Sequence, residues 1–182
     1  IPARAWIIAV PLLGDRIRSL FSNCLQKGLF PKIWKTGNLV LIKKQGRPAD
    51  SASAYRPICL LNEIGKLFER VLAARIKEHL MKAGPDLSES QFGFRSGKST
   101  IDAILLVRHI STEAVSRGRV VAAISLDITN AFNSLPWAAI EEGMAYHQIP
   151  TYLHGVVQAY LSDRSLQYMG REKIMHTVQI DC

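Results

Sequence analysis

An α+β fold, with helices packed on short antiparallel sheets, is what the sequence predicts. Helix-length stretches with apolar residues three and four apart alternate with short apolar runs bounded by turn residues, and one run, 120–128, is almost wholly apolar. With 182 residues and 48% apolar content, the chain can bury a core of its own.

From residue 12 to 26, Leu13, Ile17, Leu20, Phe21 and Cys24 or Leu25 recur at amphipathic-helix spacing, and Gly28 stops the pattern. "NLVLIKK" (38–44) and "YRPICLL" (55–61) read as strands joined by the Gly-, Pro- and Ser-rich loop 45–54. Ile64, Leu67, Phe68, Val71, Leu72, Ile76 and Leu80 form a wide stripe, so a helix is predicted from 62 until Gly84 and Pro85. Another runs from Thr100 to Ser116, capped by Ser99 or Thr100.

"VVAAISLDI" (120–128) carries the signature of a strand buried on both faces, interrupted by Asp127. Pro136 suits the first turn of a helix over 137–148, with Asn133 or Ser134 as cap. A further helix covers 151–163, and 165–180 reads as a hairpin turning at Gly170.

The 23 Lys and Arg against 15 Asp and Glu leave a formal charge of +8, which favours a polyanionic partner. Three distant cysteines, Cys24, Cys59 and Cys182, form neither a zinc knuckle nor a disulfide framework and suit a reducing compartment. "AWIIAVPLL" is too short and too proline-broken to span a bilayer, so no membrane partner is expected. A first residue of Ile1 and a strand-like final segment lead to the expectation of a segment cut from a longer polypeptide.

"SQFGFRSGKSTIDA" (90–103) ends like a phosphate-cradling P-loop, but its first glycine position is Phe92 and no apolar strand precedes it. A nucleotide hydrolase is therefore disfavoured. Asp127 raises a different question, because a carboxylate in a buried strand is costly unless a cation, a helix N-terminus or a metal compensates it.

"SLDITNAFNSLPW" resembles the first catalytic motif of reverse transcriptases, through Asp127, Ala131 and Phe132. "LVLIKK", "YRPICLLNEIGKLFERVLAARI" and "QFGFRSGKSTIDAI" precede it in the order seen in reverse transcriptases of non-LTR (LINE-type) retrotransposons, and the resemblance runs from about residue 12 to 182.

The resemblance implies a truncated right-hand polymerase, with residues 1–118 mostly fingers and 119–182 the start of an antiparallel palm sheet. It implies RNA-directed DNA synthesis by two-metal nucleotidyl transfer in the complete protein, on two Mg2+ ions, with Mn2+ as the alternative. Asp127 and the carbonyl of Ile128 would be metal ligands, and the turn 129–132 would offer backbone N–H groups to phosphates. Lys44 and Arg56 would clamp the triphosphate. Ala131 and Phe132 would lie at the nucleotide, the ring excluding a 2′-hydroxyl.

Gln91, Gly93, Arg95 and Lys98 would contact the template. Partners would be an RNA template, a DNA primer or target DNA, and deoxynucleoside triphosphates, met in cytoplasm and nucleus. The family's Pro-Gln-Gly and Tyr-x-Asp-Asp segments do not occur in the sequence, nor does any Asp-Asp pair, so these residues alone are expected to be inactive. The alternative is a catalytically inactive nucleic-acid-binding relic of such an element.

Overall fold

The computed structural model describes residues 3–83, 85–128, 131–170 and 172–180. They pack as two bodies, Ile1–Gly84 with Leu135–Cys182, and Pro85–Ser134.

In the first body, α1 (Ala3–Lys27) leads through Gly28 to the single turn α2 (Lys32–Lys35), then β1 (Thr36–Lys43), β2 (Tyr55–Leu60) and α3 (Glu63–Lys82). The chain returns to this body as α6 (Trp137–Tyr146), α7 (Thr151–Leu161), β3 (Arg164–Met169) and β4 (Met175–Ile180). The second body holds α4 (Thr100–Ser116) and the single turn α5 (Ala131–Ser134).

The four strands form one sheet in the order β2-β1-β3-β4. Its two hairpins are antiparallel, as expected. Between them β1 runs parallel to β3, from Thr36 opposite Ser165 to Asn38 opposite Gln167. The sheet is therefore mixed rather than a set of antiparallel pieces. Parallel pairing needs a long crossover, and residues 44–163 supply one. Gly37 leaves room for the Cys59 side chain of β2, since a Cβ there would collide with its sulfur.

The core lies among α1, α2, α3, α6 and α7. Phe68 is fully buried, its ring 4.8 Å from Phe21, 5.4 Å from Phe30 and 5.8 Å from Trp34. Gly65, one turn earlier on α3, lets that helix lie against Trp34, because a Cβ there would stand 2.9 Å from the Trp34 Cβ. Of the predicted α3 stripe, Phe68 and Leu72 are buried, Ile64, Val71, Ile76 and Leu80 pack on the core, and Leu67 is exposed.

Lys35 is buried, and its ammonium donates to the carbonyls of Ala159 and Ser162, each at 2.7 Å. These carbonyls end α7, so one cation satisfies two acceptors left over by the helix and complements its dipole. Burial pushes the Lys35 pKa below the ordinary lysine value, against the pull of Asp163. The cation thereby ties the start of β1 to the turn that launches β3.

Several expectations are corrected. α1 begins at Ala3, with Pro11 inside it. Pro136, expected in the first turn of α6, is instead its N-cap residue in place of Asn133 or Ser134, and Trp137 is the first residue of the helix. Residues 120–128 form no strand: Val120, Ile124, Leu126 and Ile128 are 73–97% exposed. A strand exists through its ladder, and no described residue pairs with this run. No helix among the described residues is long and apolar enough to cross a membrane.

Replacing Phe68 by Ala should cost about 3–5 kcal/mol, the range for truncating a fully buried aromatic. Ile7→Ala, at a 74% exposed site, should stay within about 0.5 kcal/mol of the parent. Urea unfolding followed by circular dichroism separates the two, and equal losses would refute the placement of the core.

Candidate nucleic-acid interface

In the first body, the β1–β2 hairpin presents two predicted cations. Ile42 pairs with Arg56 and Lys43 with Tyr55, and the Lys44 N–H donates to the Ala54 carbonyl to continue the ladder. Directly paired residues share a face and alternate residues return to it, so Lys44 and Arg56 lie on one face and Lys43 on the other. Lys44 also donates from Nζ to the Ser53 carbonyl at 2.9 Å. Inside the loop the Tyr55 hydroxyl donates to the Ala49 carbonyl, and the hydroxyls of Ser51 and Ser53 share a hydrogen bond.

In the second body, residues 85–99 are folded by their own polar side chains. Arg95 donates from Nη1 to the carbonyls of Leu87 (2.9 Å) and Ser88 (2.7 Å), and from Nη2 to the Asp86 carboxylate (2.7 Å). Lys98 donates to the Glu89 carbonyl at 2.7 Å and stands 5.0 Å from the centre of the Phe92 ring. The Gln91 side-chain amide donates to the Gly93 carbonyl.

All four predicted template residues thus have partners within the loop, Gly93 through its carbonyl. The Cα side of Gly93 faces open space, so another backbone could approach it. Gly97 is the glycine that the turn requires, with φ +74°.

The loop is preceded in sequence by α3 and followed by α4. A P-loop requires a strand before the glycines, and none is present among the described residues of the loop. Ser99 caps α4 instead. Its hydroxyl accepts from the Asp102 N–H at 3.2 Å, while the Asp102 carboxylate accepts the Ser99 N–H at 2.7 Å. Hydrogen bonds from Ser99 hold the Asp102 carboxyl below its ordinary pKa.

Asp127 and Ile128 lie in the exposed run 119–128 of the second body. Exposure spares Asp127 the desolvation cost that its sequence context suggested. Among the described residues no group of three or more His, Cys, Asp or Glu side chains could hold a metal ion. The donors described therefore do not by themselves make the expected two-ion site. Ala131 starts α5, whereas Thr129, Asn130 and the Phe132 side chain lie outside the described residues.

Sequence reasoning missed two features. Lys35 was legible only as one more cation near a turn. Phe94 stands within a recognisable motif that implies no role for it, yet it has φ +58° and is 91% exposed. Its signal was an aromatic placed among Gly93, Arg95 and Gly97 in a polar loop.

The charge surplus is unevenly divided. Residues 85–134 hold five basic side chains, Arg95, Lys98, Arg108, Arg117 and Arg119, against five acidic ones, Asp86, Glu89, Asp102, Glu113 and Asp127. The formal +8 therefore lies in the other body. That body also has a cavity of about 560 Å3 lined by Trp6, Asn38, Asn62, Glu63 and Gln167 among others, which includes none of the predicted site residues.

Residues 42–179 match the family described as reverse transcriptase (RNA-dependent DNA polymerase). A Drosophila melanogaster protein named "Probable RNA-directed DNA polymerase from transposon BS" is 34% identical over 96% of the chain and 19% of its own length. The Pol polyprotein of type-1 retrotransposable element R1 from Bradysia coprophila is 33% identical over 86% of the chain and 15% of its length. The RNA-directed DNA polymerase of the Drosophila melanogaster mobile element jockey is 31% identical over 80% of the chain and 16% of its length. The chain thus spans less than a fifth of each of these relatives.

The capping box makes α4 sensitive to acid. The Asp102 pKa is depressed in the folded chain, so the cap's contribution is complete above the unfolded value of 3.8 and is lost as pH falls through the folded value. Amide shifts of Ser99 and Asp102 should report fraying of the first turn only below that range, and Asp102→Asn should abolish the transition. A transition retained in Asp102→Asn would assign it to another group.

Proposed function

The chain belongs to the reverse transcriptase family, of the kind found in non-LTR retrotransposons, and from that premise we propose that it is a segment of an RNA-directed DNA polymerase that copies an RNA template onto a DNA primer or target. Residues 1–118 are mostly its fingers, and 119–182 begin its palm. The observation that carries the reading is the placement of Lys44 and Arg56 on one face of a hairpin within the matching segment. Two cations so placed neutralise neighbouring oxygens of one triphosphate.

Divalent ions, Mg2+ or Mn2+, supply charge neutralisation at the reacting phosphates when bound. Asp127 offers one carboxylate and Ile128 one carbonyl, and the remaining donors belong to parts of the polymerase beyond this chain. The apolar run around Asp127 supports that division, since a fully apolar strand is stable only between partner strands.

Ala131 and Phe132 sit at the nucleotide sugar. Gln91, Gly93, Arg95 and Lys98 form the template side, where the side chains of Arg95 and Lys98 act first by setting the shape of their loop. Such a polymerase meets RNA in the cytoplasm and its DNA target in the nucleus.

In a polymerase carrying this segment within a complete palm, Lys44→Ala and Arg56→Ala should each raise the nucleotide KM or lower kcat, by about 1.5–3 kcal/mol in kcat/KM. Lys43→Ala and Arg47→Ala should spare both parameters and weaken template binding in a salt-dependent way. Steady-state kinetics with the nucleotide varied decides the matter. Equal effects at all four positions would replace the clamp with a diffuse basic patch.

In the same enzyme Phe132→Val should increase use of ribonucleotides relative to deoxyribonucleotides while deoxynucleotide use persists. Competition assays read the ratio directly, and unchanged sugar selectivity with normal folding would assign Phe132 to packing.

A further inference from the structure

Phe94 combines features that rarely coincide without use. Its φ of +58° places a bulky residue in the left-handed region, where a Cβ is strained and glycine is the natural occupant. The residue is 91% exposed, so no burial within the chain offsets that strain. The loop nevertheless holds it there. Arg95, the next residue, is tied to Asp86, Leu87 and Ser88, and Lys98 is tied to Glu89 and covers the Phe92 ring. A strained residue persists only when its surroundings over-determine it, and such residues concentrate at functional positions.

Resting on the polymerase reading above, we infer that Phe94 is a stacking platform for an unpaired nucleobase of the template strand. An aromatic face held out by a braced turn is a means of gripping single strands, since every base offers a π-face. The neighbouring glycines, Gly93 and Gly97, have open space around them, which leaves room for a base and its sugar. Asp86 and Glu89 balance Arg95 and Lys98, so the loop carries no net charge. Its contribution to affinity is therefore stacking, which is insensitive to salt, whereas the basic body supplies the salt-dependent attraction. The bracing cations are positioning residues: they fix the turn that presents the ring.

The test titrates the 182-residue chain against single-stranded RNA and DNA oligonucleotides containing 2-aminopurine, whose fluorescence is quenched by stacking, at several salt concentrations. Phe94→Leu keeps an apolar side chain without a π-face, Phe94→Trp keeps the face, and Phe94→Gly removes the ring and relaxes the backbone. Leu and Gly variants should bind about tenfold more weakly at every salt concentration. Their slope of log affinity against log salt should be unchanged and the quenching lost, equally for RNA and DNA. The Trp variant should bind like the parent, and the Gly variant should melt no lower than the parent.

Parent-like binding by the Leu variant would show apolar packing, and a lowered melting temperature in both Leu and Gly variants would show a core residue; either overturns the inference. So would a loss confined to one sugar type or a changed salt slope. If the parent chain binds no oligonucleotide at low salt, the polymerase reading falls with it. If the parent binds and all three variants match it, only the role of Phe94 falls.

Discussion

The first body depends on the seating of α3 against α2, where Phe68 fills the space enclosed by Phe21, Phe30 and Trp34. Gly65 is the condition for that seating, because a side chain there would push Trp34 away and open the cage. Aromatic edges and faces at these separations add geometric preference to burial, so the cluster specifies an arrangement as well as stabilising one. Trp34 immediately precedes Lys35, and Lys35 fastens β1 to the end of α7. The cage and the buried cation together place the two hairpins side by side, in the parallel contact of β1 with β3.

Polar satisfaction organises the candidate interface in the same way as packing organises the core. Lys44, Arg95, Lys98 and Gln91 all donate to carbonyls or carboxylates close to them in the chain. Loops carrying such contacts are ordered before a ligand arrives, which lowers the entropy lost on binding. A cation that already serves a carbonyl can still present its remaining N–H groups and its charge, so loop shaping and ligand contact are compatible roles.

The run 119–128 follows a different rule. Its composition is that of a strand covered on both faces, and in the structure it is exposed, with Asp127 within it. Side-chain composition expresses a preference for burial. Hydrogen-bonded neighbours are needed to realise it, and they are contributed by other residues. A strand-like sequence in a segment without a ladder among the described residues therefore leaves the setting of Asp127 to residues outside that segment.

Where the determining interactions are local, the sequence alone determined the outcome. Helical periodicity produced α3, α4 and α7, turn chemistry produced both hairpins, and Ser99 capped its helix because its partner, Asp102, is three residues away. The family was legible for a related reason: the motif residues occur in a fixed order along one chain, and 42–179 match it. Tertiary structure alone decided that β1 would lie parallel to β3, that Lys35 would be buried, that Phe94 would be exposed with a left-handed backbone, and that 120–128 would find no strand partner among the described residues. Each of these depends on groups distant in sequence or on a loop's complete set of hydrogen bonds. Residue spacing carries the periodicity of one segment, whereas the partner across a sheet or beneath a helix is selected by the free energy of the assembled chain.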